Sequence, residues 1–190
     1  MQIQNRNVRL PEGLFDVEVQ IFEETDRERL FTIYNNWRSL CDDLVSIHSR
    51  AVNLPEGLSE GAFCLETGSV RLTDSINGAN SSFDCFDFNG NRRIQIKACS
   101  VLPDLTSFGP NSVWDEIYFL DFYREGEWNG TFDIYRIEND FIYNHQVNSS
   151  QTLRQQQAQG RRPRFSIYQK IIQEREIEPF MNCDLAKPRT

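Results

Sequence analysis

The sequence predicts an α/β (α+β) fold: a mixed central sheet of four or five strands, flanked by helices from both ends of the chain. Three observations lead there. Leu30, Ile33, Tyr34, Trp37, Leu40, Cys41, Leu44 and His48 recur at helical spacing. Residues 82–99 read as a β-hairpin about Asn89-Gly90. Two apolar runs, DEIYFLDFY and TFDIYRIE, read as strands joined by the turn EGEWNG. At 190 residues the chain is expected to form one domain, 1–190, long enough to bury a core.

Taken in order, the first residues carry weak strand signals, clearest in Val17, Val19 and Ile21. Thr25 and Glu28 form a capping-box pattern that opens the long helix, which ends near Arg50. In NLPEGLSEGAFCLETG, Ser59 is the expected N-cap of a short helix and Gly68 its stop. After the hairpin, SVLPDLTSFGPNSVW is loop-like, and the two apolar strands follow. Ser149 or Ser150 caps a short helix that Gly160 ends; RRPRFSI is then extended and YQKIIQERE helical.

Composition narrows the function. No 18-residue apolar run and no charged-then-apolar leader occurs, so the expectation is a soluble, cytoplasmic protein with no membrane association. Five cysteines without C-x-x-C spacing suggest reduced thiols, not a disulfide frame or zinc site. A formal charge of −8 argues at first against nucleic acid, whose binding rests on phosphate neutralisation. The distribution argues otherwise. Between Asn144 and Gln173 lie Arg154, Arg161, Arg162, Arg164 and Lys170, with no acid.

The hairpin carries the chemistry. A two-residue type I′ turn at Asn89-Gly90 makes Phe88 face Asn91 and Asp84 face Gln95. Alternation then puts Asp84, Gln95 and Lys97 on one face, with Phe83, Cys85, Ile94 and Ile96 on the other as core. Asp84 offers a hard oxygen for Mg²⁺, Gln95 a neutral one, and Lys97 a cation for the attacked phosphate or the attacking water. An Asp, a spacer and then acid-x-Lys resembles the PD-(D/E)XK nuclease superfamily. Two departures stand out: Phe83 replaces the proline, which is no ligand, and Gln95 replaces an acid, which costs a negative charge at the metal. Glu60, at the start of the helix before the hairpin, is the expected extra carboxylate, with Glu56 as the alternative and the Ile96 carbonyl as a further ligand. The plainer reading of the same residues is a solvated surface hairpin, with Glu60 complementing a helix dipole.

The basic tail is the expected recognition segment, residues 144–175. Arg and Gln read G and A bidentately in the major groove, which nominates Arg154, Gln155, Gln156, Gln157, Gln159, Arg161, Arg162 and Arg164. Ser107, Phe108 and Gly109 are expected to approach the DNA from the other side. A tail that binds only phosphate, or nothing, is the alternative.

LSEGAFC, SFDCFD with RIQIKA, DLTSFGPNSVWDEIYFLDFY, GTFDIYRI and above all QTLRQQQAQGRRPRFSI resemble the small type II restriction endonuclease family that cuts GCNGC-type sites. The resemblance covers about residues 53 to 172. It implies a Mg²⁺-dependent PD-(D/E)XK endonuclease acting on double-stranded DNA at a short G·C-rich interrupted palindrome, with Asp84, Gln95 and Lys97 as core catalytic positions. A palindrome implies a homodimer, and a self-toxic nuclease implies a methyltransferase partner in the same cell. A non-cleaving DNA-binding protein of the same fold, with Gln95 as its lesion, is the competing reading. A histidine-based nuclease is disfavoured, since His48 and His145 are the only histidines. A basic-tailed RNA binder lacks the aromatic signature such modules carry.

Overall fold

The computed structural model describes residues 1–80 and 82–188. Its main elements are β1 (Gln2–Leu10), β2 (Gly13–Ile21), α1 (Arg27–Ser46), α2 (Glu56–Thr67), β3 (Val70–Leu72), β4 (Cys85–Asp87), β5 (Arg92–Cys99), β6 (Thr106–Ser107), β7 (Glu116–Asp121), β8 (Thr131–Ile137), α3 (Asn139–Tyr143), α4 (Leu153–Ala158), β9 (Arg164–Phe165) and β10 (Met181–Asp184). The mixed α/β expectation holds, but the central sheet has eight strands where four or five were expected, in the order β1-β2-β3-β4-β5-β7-β8-β10. The extra strands come from segments without a period to read. Val70–Leu72 is three residues long, QIQNRNVRL is mostly polar, and Met181–Asp184 exists through its pairing with β8. Neighbours are antiparallel except β5 and β7, which run parallel with Lys97 beside Phe119. A second, two-stranded sheet joins β6 to β9.

The central strands are buried on both faces, which is why DEIYFLDFY reads as a continuous apolar run. Tyr118 and Leu120 of β7 enter the cluster under α1 and α2, together with Cys85, Ile94 and Ile96. Ile117 and Phe119 enter the opposite cluster, with Phe108, Trp114, Phe165, Ile167 and Ile171 from the loop after β5 and from the tail. Helix α1 buries Leu30, Tyr34, Trp37 and Cys41, the inner stripe of its amphipathic pattern.

Local chemistry moved several boundaries. The capping box before α1 is Glu23 with Asp26, not Thr25 with Glu28, and α1 stops at Ser46. Helix α2 starts at Glu56 behind Pro55, three residues before the expected Ser59 cap, and ends at Gly68 with φ 76°. Thr152, not Ser149 or Ser150, caps α4: its hydroxyl accepts from Gln155 N–H while the Gln155 side chain accepts from Thr152 N–H at 2.9 Å. The helical stretch after the second sheet is a π-helix, Tyr168–Gln173.

The hairpin keeps its register, with Cys85 opposite Ile94 and Asp87 opposite Arg92, but not its turn. Residues 88–91 form a four-residue loop in which Asn91, not Gly90, takes positive φ, at 50°. The Asp87 carboxylate makes this loop by accepting from Asn89 N–H and Gly90 N–H, both at 2.9 Å. Among the described residues no helix is long and apolar enough to cross a membrane.

Candidate active site

Asp84 sits where strand β4 begins, and the backbone there departs from simple alternation. Its N–H donates to Ile94 O at 3.0 Å, although Ile94 already faces Cys85, so two consecutive residues oppose one, as at a β-bulge. The shift also explains a misplaced core residue. Phe83 was expected beside Cys85 and Ile94, yet it packs with Phe86, Val19 and Leu72 in a third cluster.

The bulge re-aims the Asp84 carboxylate. It accepts from Ile96 N–H at 2.7 Å and, more closely, from the Gln95 amide, and it lies within electrostatic reach of Lys97 on β5 and Glu60 on α2. Gln95 is 3% exposed and Glu60 8% exposed, so both act in a site shielded from bulk water. Glu60 is also held by an ion pair to Arg71 Nε, whose Nη1 donates to Gln20 Oε1 at 3.0 Å. Burial, and then Asp84 beside it, push the Glu60 carboxyl up to about 7 against the pull of Arg71. Burial likewise pushes Asp84 up, opposed by Lys97 and the Ile96 N–H.

The four catalytic candidates, Asp84, Gln95, Lys97 and Glu60, are therefore neighbours, though three lie on the hairpin and one on a helix. Glu56 is exposed one turn earlier and acts on Asp84 and Glu60 only through its charge. Arg71, which positions Glu60, was not anticipated; it lies in the three-residue strand VRL, and nothing in that run marks it.

The donor set suits a hard cation. Two crowded carboxylates, the Gln95 amide oxygen and the Ile96 carbonyl are all oxygen ligands, and a divalent ion would relieve the repulsion between Asp84 and Glu60. Among the described residues no three His, Cys, Asp or Glu side chains converge, so the amide is needed to complete the set. As drawn, Gln95 turns its NH₂ toward Asp84, and ligation through Oε1 takes a half-turn of that amide.

The expected DNA-contacting residues divide. Arg154, Arg161, Arg162 and Arg164 are exposed; Arg154 lies 4.9 Å over the Tyr143 ring, and Arg161 donates to Gln151 Oε1 at 3.2 Å. Ser107 pairs with Arg164 across the β6–β9 sheet, and Gln157 Nε2 donates to Gly109 O at 2.7 Å. The 107–109 segment therefore lies beside the tail, not across the DNA from it. Phe108 faces inward, 1% exposed, stacked on Phe165 at 5.4 Å between ring centroids. Gln156 is buried, Gln155 is spent on capping α4, and Gln159 accepts from Gln151 at 3.0 Å. Lys97 Nζ lies 5.9 Å from the centroid of the Phe108 ring, so this buried ring spans the distance between catalytic and recognition elements.

The five cysteines are buried, with Cys64 Sγ and Cys85 Sγ 3.5 Å apart behind the site.

Comparison with known proteins places the chain in a family. The family model described as Bsp6I restriction endonuclease matches residues 22–174. The type II restriction enzyme Bsp6I of Bacillus sp. (strain RFL6) is 36% identical over 155 residues, covering 80% of this chain and 84% of that protein. No solved structure matches. With most of the chain matched, it belongs to the Bsp6I restriction endonuclease family.

Proposed function

We propose that the protein is a type II restriction endonuclease of the PD-(D/E)XK kind, hydrolysing both strands of double-stranded DNA at a short G·C-rich interrupted palindrome of the GCNGC type, with Mg²⁺ as cofactor. The observation that carries this reading is the meeting of Glu60 from α2 with Asp84, Gln95 and Lys97 at the bulged start of the hairpin. Asp84, Glu60, Gln95 and the Ile96 carbonyl would hold the ion. Mg²⁺ supplies a Lewis acid for the scissile phosphate and lowers the pKa of bound water. Lys97 orients the attacking water and stabilises negative charge on the phosphoryl oxygens. Arg71 keeps Glu60 aimed at the site. The β6–β9 sheet carries Arg164 to the DNA beside Gln157, Arg161 and Arg162, with Gly109 in the loop after β6; the Ser107 hydroxyl is buried, which leaves its backbone for that contact.

A palindrome calls for two sites related by a two-fold axis, so the working unit is a homodimer. The exposed flank of α1 supports it. Ile33 and Leu40 are 39% and 48% exposed, two turns apart beside the buried stripe, and Ile47, just past the helix end, is 71% exposed. Arg29 stands toward one end of that flank and Asp43 toward the other. A second copy laid antiparallel sets Arg29 against the partner helix's acidic end. A methyltransferase acting on the same sequence would protect the host DNA.

The deciding experiment is digestion of a plasmid of known sequence with and without Mg²⁺, followed by sequencing of the ends. Discrete fragments sharing an interrupted palindrome are expected. Specific binding without cutting at any Mg²⁺ concentration would favour the non-cleaving reading, with Gln95 as the cause.

A further inference from the structure

At the end of the sheet where β1 finishes, β4 turns into β5 and β7 starts, a cleft of about 300 Å³ is lined by Arg9, Asn91, Arg92, Arg93 and Asp115. Three arginines and Asp115 line it, with Glu12 within electrostatic reach of Arg93, in a chain whose formal charge is −8. Asp115 is consumed by Arg93, accepting from its Nε at 3.0 Å and its Nη2 at 2.8 Å. Arg9 and Arg92 are exposed. The two arms of the cleft are tied together, since Asn91 Nδ2 donates to Arg9 O at 3.2 Å.

The cleft is continuous with the elements already assigned to DNA. Glu12, in the β1–β2 turn, accepts from Asn80 N–H at 3.3 Å, and Asn80 Nδ2 donates to Asn111 O at 3.0 Å. Ser82, two residues before Asp84, donates to the same Asn111 carbonyl at 3.2 Å. Asn111 shares its loop with Gly109, which Gln157 holds. A path of contacts therefore runs from the N-terminal hairpin past the catalytic strand to the basic tail.

We infer that Arg9 and Arg92 form a phosphate-binding cleft that grips the backbone of duplex DNA flanking the target, so that the β1–β2 hairpin acts as a second, sequence-independent DNA contact. This rests on the endonuclease reading above and extends its DNA surface to a hairpin that lies before residues 22–174, the stretch the family model matches. A duplex carries one negative charge per about 1.7 Å of axis, so a ligand passing the site meets this cleft with phosphates. The cleft's arginines come from the ends of two strands, β1 and β5, with no recognition element between them to insert into a groove. They neutralise; they do not read.

The test is binding in Ca²⁺ of a long duplex containing the target, and of one without it, by wild type, Arg9→Gln, Arg92→Gln and the double variant between 50 and 200 mM salt. Lys187→Gln, which removes a charge beside Asp184, controls for net charge. Melting temperatures report that the exposed substitutions fold. Each arginine variant should lower the slope of log K against log salt by about 0.9, so wild type loses about threefold more affinity across that range per contact, for target and non-target DNA alike. A duplex trimmed close to the target should bind wild type and variants equally. Wild-type slopes in Arg9→Gln and Arg92→Gln, an equal fall in Lys187→Gln, or a changed ratio of target to non-target affinity would each overturn the cleft. Failure of the parent reading looks different: wild type itself then neither cuts nor discriminates.

Discussion

At the scale of single residues, the site combines groups that are costly to bury singly and chemically useful together. Lys97 is the cation beside Asp84, so Lys97→Ala should lower the cleavage rate by about 10²–10³-fold, the cost of removing one preorganised charge-stabilising group, while target binding in Ca²⁺ persists. Near wild-type cutting by that variant would move the active site elsewhere. Gln95→Glu restores the missing carboxylate and should reach half-maximal rate at lower Mg²⁺, which a metal titration of initial rates measures directly. A different pair governs acid stability. The Arg93 fork, by hydrogen bonding first and charge second, holds the Asp115 carboxyl below its ordinary value of 3.8. A depressed acid contributes stability above its unfolded pKa and loses it as pH falls through the folded one. Arg93→Gln should therefore shift the acid-unfolding midpoint toward higher pH and lower the melting temperature at pH 7; unchanged acid unfolding by circular dichroism would show the pair contributes nothing. That Gln95 and Lys97 share a face of β5 could be read from spacing, because a strand's two-residue period is written in the sequence; the aim of Asp84 could not, because it follows from the bulge. Arg71 could not, because only folding brings β3 beneath α2.

At the scale of elements, one buried carboxylate ties the β6 segment to the stretch after β9, the two parts proposed to face DNA. Asp104 is 5% exposed and accepts from Thr106 Oγ1 and Ile167 N–H, each at 2.9 Å, from Tyr168 N–H at 3.2 Å, and closely from Ser166 Oγ. Thr106 belongs to β6, and Ser166 to Tyr168 continue from β9 into the π-helix, so this side chain clamps the small sheet that presents Ser107 and Arg164. Asp104→Ala leaves those buried donors unpaired and should cost about 2–3 kcal/mol of stability. If the clamp also sets recognition, discrimination between target and single-mismatch duplexes should fall more than non-specific affinity does. Equal losses would make Asp104 structural only. The hairpin shows the same division. Its register came out where a hairpin centred on Asn89-Gly90 puts it, but the Asx-type loop under Asp87, which replaces the two-residue turn, and the bulge at Asp84 depend on which backbone groups find partners in three dimensions. Phe108 was misjudged for a related reason: an aromatic in a polar loop reads as a DNA contact until Trp114 and Phe165 are seen to enclose it.

For the whole molecule, the exposed flank of α1 makes a concentration-dependent prediction. Leu40→Glu, at the middle of that flank, should yield a monomer in analytical ultracentrifugation and convert double-strand cutting of supercoiled plasmid into slow nicking, because each copy holds one site. A dimer that survives the substitution would put the interface on another face. The N-terminal hairpin, only weakly signalled in the sequence, occupies one edge of the sheet and closes the arginine cleft, a role visible only because Arg9 and Arg92 lie far apart along the chain and adjacent in space. By itself the sequence determined the local order: the long amphipathic helix, the hairpin register, the two apolar central strands and the acid-free basic tail, all set by periodicity and charge within short windows. The tertiary structure alone decided the eight-strand order, the approach of Glu60 and Arg71 to Asp84, the inward turn of Phe108 and Gln156, and the joining of the 107–109 loop to the tail. Those depend on contacts between distant segments, whose partners are selected by burial and hydrogen-bond satisfaction across the whole fold and leave no period in the chain.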